Sequence, residues 1–196
     1  MELAAAELAD SHVALTPFDV KRDGADLRAM AEGLGERIAT WPYYAPPAEW
    51  VSGWLATITR MEGEGRLIPF RVNDPDGHFA GITTYLTPDP VSRNVEIGMT
   101  MYTAAAQGTA VNPAAKRLML GNAFDAGALR VQFNVDQRNT RSQAAVKKLG
   151  ATQEGVLRDN RILPNGFLRS TVVFSILARE WPAVKAGLDA RLAAFG

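Results

Sequence analysis

Cysteine is absent from the 196 residues. That excludes disulfides, thiolate metal sites and a cysteine nucleophile. Histidine is scarce. With only His12 and His78, a histidine-based metal centre or a Ser-His-Asp triad is not expected, and no metal is assigned. Net charge is missing as well: 21 basic side chains balance 21 acidic ones. A broad attraction to nucleic acid is therefore not expected. No apolar run is long enough to cross a bilayer. The start, Met1-Glu2-Leu3-Ala4-Ala5-Ala6, lacks the basic flank and apolar core of a signal peptide. A cytoplasmic protein without a membrane partner is the expectation. Neither Gly-x-Gly-x-x-Gly nor a Gly-Lys-Ser/Thr phosphate loop occurs, which disfavours other nucleotide-binding α/β domains.

What remains is a chain that is 47% hydrophobic, enough for one domain over residues 1–196 with its own core. Strand patterns fall at 12–18, 67–72, 78–86, 95–102, 129–135, 152–157 and 168–177. Helical patterns fall at 26–34, 48–61, 113–126, 140–149 and 178–195. Asn73-Asp74-Pro75-Asp76-Gly77 predicts a tight hairpin turn, and Pro88-Asp89-Pro90 predicts a strand end. Alternation along 95–102 puts Val95, Ile97, Met99 and Met101 on one face, and Glu96, Gly98, Thr100 and Tyr102 on the other. Gly35 and Gly150 are placed to stop helices. The order predicts an α+β (mixed α/β) fold, with a central mixed sheet flanked by helices.

The segment Gln107-Gly108-Thr109-Ala110-Val111-Asn112-Pro113 reads as a turn of exposed amides leading into a helix. Asn112 is placed as N-cap and Pro113 as the first helical residue. Small residues at Gly108 and Ala110 admit a ligand to the main chain. Free amides beside the positive end of a helix dipole make an anion site, suited to a diphosphate.

Four segments then carry a resemblance. They are Val95-Glu96-Ile97-Gly98, Gln107-Gly108-Thr109-Ala110, Val135 to Ser142 and Lys148-Leu149-Gly150-Ala151. In this order and spacing the chain resembles the GNAT superfamily of acyl-CoA-dependent N-acetyltransferases, and most nearly its RimJ/RimL-like branch. The resemblance implies a mostly antiparallel sheet, acetyl-CoA as co-substrate and a homodimer. It implies direct transfer to a primary amine, either a protein N-terminus or a small molecule. An acyl-CoA-binding module with little catalysis is the alternative. It further implies that Met101, Tyr102 and Thr103 line the pantetheine arm. Gln107, Gly108, Thr109, Ala110 and Val111 would hold the pyrophosphate, with Asn139 and Ser142 near the arm and the thiol. One position departs from the family pattern: Ala105 stands where a glutamine or arginine is common.

Acetyl transfer requires that the amine lose a proton, that the carbonyl oxygen be stabilised and that the thiolate be neutralised. Glu96 is the candidate base, its pKa raised by partial burial; a structural glutamate paired with Arg93 or Arg130 is the equal alternative. Ser142 is the candidate proton donor to the thiolate, or a first-turn helix residue. Asn139 serves the ligand, the helix cap or both. Tyr102 is an alternative donor on the Glu96 face, unless a bulge at the strand end reverses its direction; a core or rim tyrosine is the favoured reading. The resemblance implies that Tyr43 and Tyr44 are acceptor contacts, whereas Trp50 and Trp54 have core spacing. Arg138, Arg141, Lys147 and Lys148 cluster near the phosphates or face solvent. His78 is expected at the surface; Arg161, Asn165 and Arg169 in the last hairpin face solvent by default, or else an acceptor or a second subunit.

Overall fold

The computed structural model describes residues 1–34, 47–163 and 165–195. Its elements are β1 (Leu8–Ala9), β2 (Ala14–Pro17), α1 (Val20–Leu34), α2 (Pro47–Gly63), β3 (Leu67–Asn73), β4 (Phe79–Asp89), β5 (Asn94–Tyr102), α3 (Val111–Asp125), β6 (Arg130–Asp136), α4 (Thr140–Lys148), β7 (Thr152–Ile162), β8 (Leu168–Leu177) and α5 (Trp181–Ala193). The strands form one sheet in the order β1-β2-β3-β4-β5-β6-β8-β7. Every neighbouring pair is antiparallel except β5–β6. A parallel pair needs a long crossover, and α3 supplies it. The mixed, mostly antiparallel sheet flanked by helices is thus observed.

Helices cover both faces. On one side, Leu27, Met30, Ala31 and Leu34 of α1 and Trp50, Val51, Leu55 and Ile58 of α2 pack with Ile82 and Met101. Trp50 and Trp54 meet edge to face at 5.3 Å, and both join this packing. On the other side, Ala114, Ala115, Met119, Leu120 and Ala123 of α3 pack with Tyr85, Val95, Ile97, Val131 and Phe133.

Local chemistry moves several boundaries. α1 starts six residues before the expected Asp26, because Asp19 caps it: Asp19 Oδ1 accepts from the amides of Lys21 and Arg22 at 2.8 Å. β4 runs through Pro88 to Asp89, its register shift absorbing the residues expected to end it. α3 starts at Val111 with Ala110 at the N-cap and no side-chain cap. Asn112 is therefore not the cap, and Pro113 lies at the third helical position, where its missing amide still costs nothing.

The most consequential departure lies inside β5. Thr84 pairs with Gly98 and Ile82 with Met101, so Met99 and Thr100 together face only Thr83. This is a β-bulge, with Met99 at φ 44°. Beyond it the faces exchange. Thr100 and Tyr102 join Val95 and Ile97 on the α3 side, while Met101 joins the α1–α2 side.

Candidate active site

The site begins where β5 and β6 part. The two strands pair at Asn94↔Arg130, Val95↔Val131 and Glu96↔Gln132 and no further. Past that point β5 stays with β4 as far as Tyr102, and β6 stays with β8 as far as Asp136. A wedge therefore opens between residues 97–102 and 133–136, towards the carboxyl ends of both strands. Ligands of such sheets bind at this place.

Two helix starts meet at the mouth of the wedge. The turn before α3 is held from within. Thr109 Oγ1 donates to Ala106 O (2.8 Å) and accepts from the Val111 amide (3.2 Å). Gln107 Nε2 donates to Tyr102 O (3.0 Å). Gly108 sits at φ 84°, and no atom lies within 4 Å of a Cβ built on it, so the main chain there is open to a ligand. α4 starts at Asn139, whose Oδ1 accepts from the Ser142 amide at 2.9 Å. Arg141 Nη2 donates to Gln107 Oε1 across the mouth at 2.9 Å. A helix start whose N-cap, Ala110, has no capping side chain, one capped by Asn139 and an arginine thus face one opening, which suits a diphosphate. The cap function of Asn139 is realised in its Oδ1, and Ser142 is half-buried beside it.

Glu96 stands at the vertex of the wedge. Its Oε2 accepts from Asn134 Nδ2 at 2.7 Å. Burial pushes its pKa up; the Asn134 hydrogen bond and the charge of Arg161 pull the other way. Neither arginine expected as a structural partner fills that role. Arg130 pairs with Glu154, and Arg93 Nε donates to Gly127 O. A carboxylate held ready for a proton at the closed end of a cleft is a candidate base. Gly98 makes room for it: a Cβ there would lie 2.7 Å from Leu86 Cδ1 and 3.2 Å from Glu96 Oε1. Gly98→Ala is therefore expected to displace the carboxylate and lower turnover at this site by about tenfold or more. Equal kcat in steady-state assays would show that the spacing is not critical.

Tyr102 is corrected as a proton donor. The bulge turns it to the α3 side, away from Glu96, and its buried hydroxyl has no hydrogen-bond partner among the described residues. Burial also pushes that hydroxyl well above the usual phenol range. Its backbone still borders the wedge, as do those of Met101 and Thr103. Tyr43 and Tyr44 lie outside the described residues. Arg138 is a partner of Asp136 (3.1 Å) and stacks at 3.6 Å on the Phe167 ring. Arg169 is buried near Asp136 (3.6 Å) rather than at the surface. His78 is at the surface beside Asp74.

Sequence reasoning passed over Asn134 and Lys116. Asn134 alternates with Arg130, Gln132 and Asp136 in a strand flanked on both sides, and that polar stripe was the available signal. Lys116 Nζ is buried against Thr83 Oγ1 (2.7 Å) and Thr100 Oγ1 (2.6 Å) at the bulge. Its spacing from Met119 and Leu120 marks the buried stripe of α3.

Among the described residues no helix is long and apolar enough to cross a membrane. A family model described as an acetyltransferase (GNAT) domain matches residues 13–152. A solved structure described as an acetyltransferase from T. thermophilus is 36% identical, with a TM-score of 0.82 over 98% of this chain and 100% of that one. A GCN5-related N-acetyltransferase from Brucella melitensis is 24% identical, with a TM-score of 0.85 over 97% of this chain and 86% of that one. RimJ of Mycobacterium smegmatis, solved with CoA-disulfide, is 23% identical, with a TM-score of 0.76 over 95% and 93%. No curated protein matches the chain.

Proposed function

This chain belongs to the GNAT acetyltransferase family, and from that premise we propose that it moves an acetyl group from acetyl-CoA directly to a primary amine, as one domain over residues 1–196. The wedge between β5 and β6, closed by Glu96, is the observation that carries this reading. The diphosphate would lie against the amides of Gln107 to Val111, with Arg141 opposite. The pantetheine arm would run back along the open edge of β5, past Thr103, Tyr102 and Met101. The wedge ends at the Glu96↔Gln132 pair, so the thioester comes to rest near Glu96.

Glu96 then takes a proton from the attacking amine. The amine nitrogen forms the new C–N bond, the C–S bond breaks, and Ser142 is proposed to pass a proton to the departing thiolate while taking one from solvent. Direct transfer agrees with the lack of a cysteine nucleophile. The acceptor is a protein N-terminus or a small amine, and Tyr43 and Tyr44 are proposed to border it. A cytoplasmic homodimer completes the reading. It is supported by Val156, Leu157, Ile162 and Leu168, which are exposed on β7 and β8, and sedimentation equilibrium tests it.

Calorimetric titration with acetyl-CoA, with ATP and NAD as controls, is the direct test. Selective binding followed by amine-dependent thiol release is the expected result. Absence of binding by the folded protein would overturn the reading. Gly108→Val would add a β-branched side chain at positive φ, on the path of the diphosphate. It should weaken acetyl-CoA binding about tenfold or more, and unchanged affinity would move the phosphate site elsewhere.

A further inference from the structure

An unbroken line of side-chain hydrogen bonds crosses the sheet behind Glu96. Glu154 on β7 pairs with Arg130 and also accepts from Ser175 Oγ at 2.7 Å. Arg130 Nη2 donates to Gln132 Oε1 at 2.9 Å. Gln132 Nε2 donates to Asn134 Oδ1 at 3.0 Å. Asn134 Nδ2 donates to Glu96 Oε2 at 2.7 Å.

The direction of this line is not free. A guanidinium only donates, so the Gln132 oxygen must face Arg130, and the Gln132 NH2 must face Asn134. The Asn134 oxygen is taken in turn, and its NH2 is left for Glu96. Turning either amide over would set donor against donor and acceptor against acceptor.

We propose that Arg130, Gln132 and Asn134 are positioning residues that reserve Oε2 of Glu96 as an acceptor and leave Oε1 to receive the proton of the amine. This inference rests on the reading of Glu96 as the base. The surroundings of Oε1 agree with it. That oxygen lies over Gly98, 3.2 Å from where a Cβ would stand, and Gly98 is the next residue on that face along the wedge. The anchor does not titrate in the working range, because Arg130 holds Glu154 down at about 2. Among the described residues, the charge acting on Glu96 is that of Arg161 on β7. Arg161 favours the carboxylate, and the line of donors adds to it against burial.

The test is a pair of variants. Arg130→Met removes the donor-only anchor. Gln132→Met cuts the line while leaving the Arg130–Glu154 pair in place. In both, Asn134 is free to turn over, so protonated Glu96 gains an acceptor for its O–H that the fixed NH2 denies it in the wild type. The acid limb of the kcat/KM profile should therefore move up by about one pH unit. Activity should fall about tenfold on that limb and return to near the wild-type level at high pH. Arg130→Lys, which restores a donor-only group, should return the limb towards its wild-type place.

A purely structural role would lower the melting temperature and leave the limb where it is. That outcome in both variants overturns the proposal, and Gln132→Met alone decides it if Arg130→Met does not fold. If Glu96→Gln leaves turnover unchanged, the base reading fails by itself. The line is then judged by carbon-detected NMR titration of the Glu96 carboxyl without ligand. A higher midpoint in Gln132→Met supports the line, and an unchanged one refutes it.

Discussion

Glu96→Gln is expected to cut kcat at neutral pH by about a hundredfold or more, the usual contribution of a positioned base. The substitution keeps shape and partner, because the Gln oxygen can accept from Asn134 Nδ2 as Oε2 does now. Only basicity is lost. Acetyl-CoA affinity, read by calorimetry, should change little, because the carboxylate is proposed to serve the amine rather than the cofactor. The sign of the stability change is also fixed. Burial raises the folded-state pKa of Glu96. Its stabilising contribution is therefore present below the unfolded carboxylate value and is lost as pH rises through the folded one. At neutral pH the wild type bears the cost of an ionised, desolvated side chain. The variant should melt at the same temperature or higher while turning over far more slowly. Unchanged kcat would remove Glu96 as the base, and a lower melting temperature with proportional loss of activity would make it a structural residue.

Lys116→Met is expected to change how stability responds to pH. Lys116 is buried beneath the bulge, with two hydroxyl oxygens for partners and no carboxylate in contact among the described residues. Burial pulls its pKa down to about 7. The neutral amine still has two N–H donors, one for each threonine. Between pH 7 and the unfolded lysine value near 10.5, the unfolded chain binds the proton and the native state does not. Wild-type stability should therefore rise with pH through that window. The rise is about 2 kcal/mol from pH 7 to 9, at about 1.4 kcal/mol per pH unit once the native amine is neutral. Below pH 7 the native state has to hold a buried ammonium. The Met variant lacks this dependence and should match or exceed the wild type at pH 6 in urea unfolding. Its cost is the pair of bonds to Thr83 and Thr100, whose hydroxyls still bond each other at 2.8 Å. Parallel stability profiles for the two proteins from pH 6 to 9 would show that the amine is not buried neutral.

The candidate site was legible in unequal measure. The amide-rich turn at Gln107 to Val111 could be read because Gly108 and the small residues around it have few other uses. The start of α3 could not. Asn112-Pro113 has the form of a cap, but the Thr109 hydroxyl bridging Ala106 and Val111 brings the chain into the helix earlier. Tyr102 illustrates the limit more sharply. Alternation from Glu96 gives the wrong face, because two residues of β5 are set against one of β4. That mismatch belongs to the pairing of two strands, and neither strand's sequence contains it.

Composition and pattern alone determined the absence of thiol chemistry, the alternation of strands and helices, and Glu96 and the phosphate turn as candidates. Each follows from residue type or from a period along one segment, and β8, from Leu168 to Leu177, was readable to the residue for that reason. Tertiary structure alone decided where β5 and β6 part and which face Tyr102 takes. It also decided that Lys116 is buried, and that Arg130, Gln132 and Asn134 point one way towards Glu96. These depend on register, crossover and the order of donors across the sheet, all of which arise only when distant segments meet.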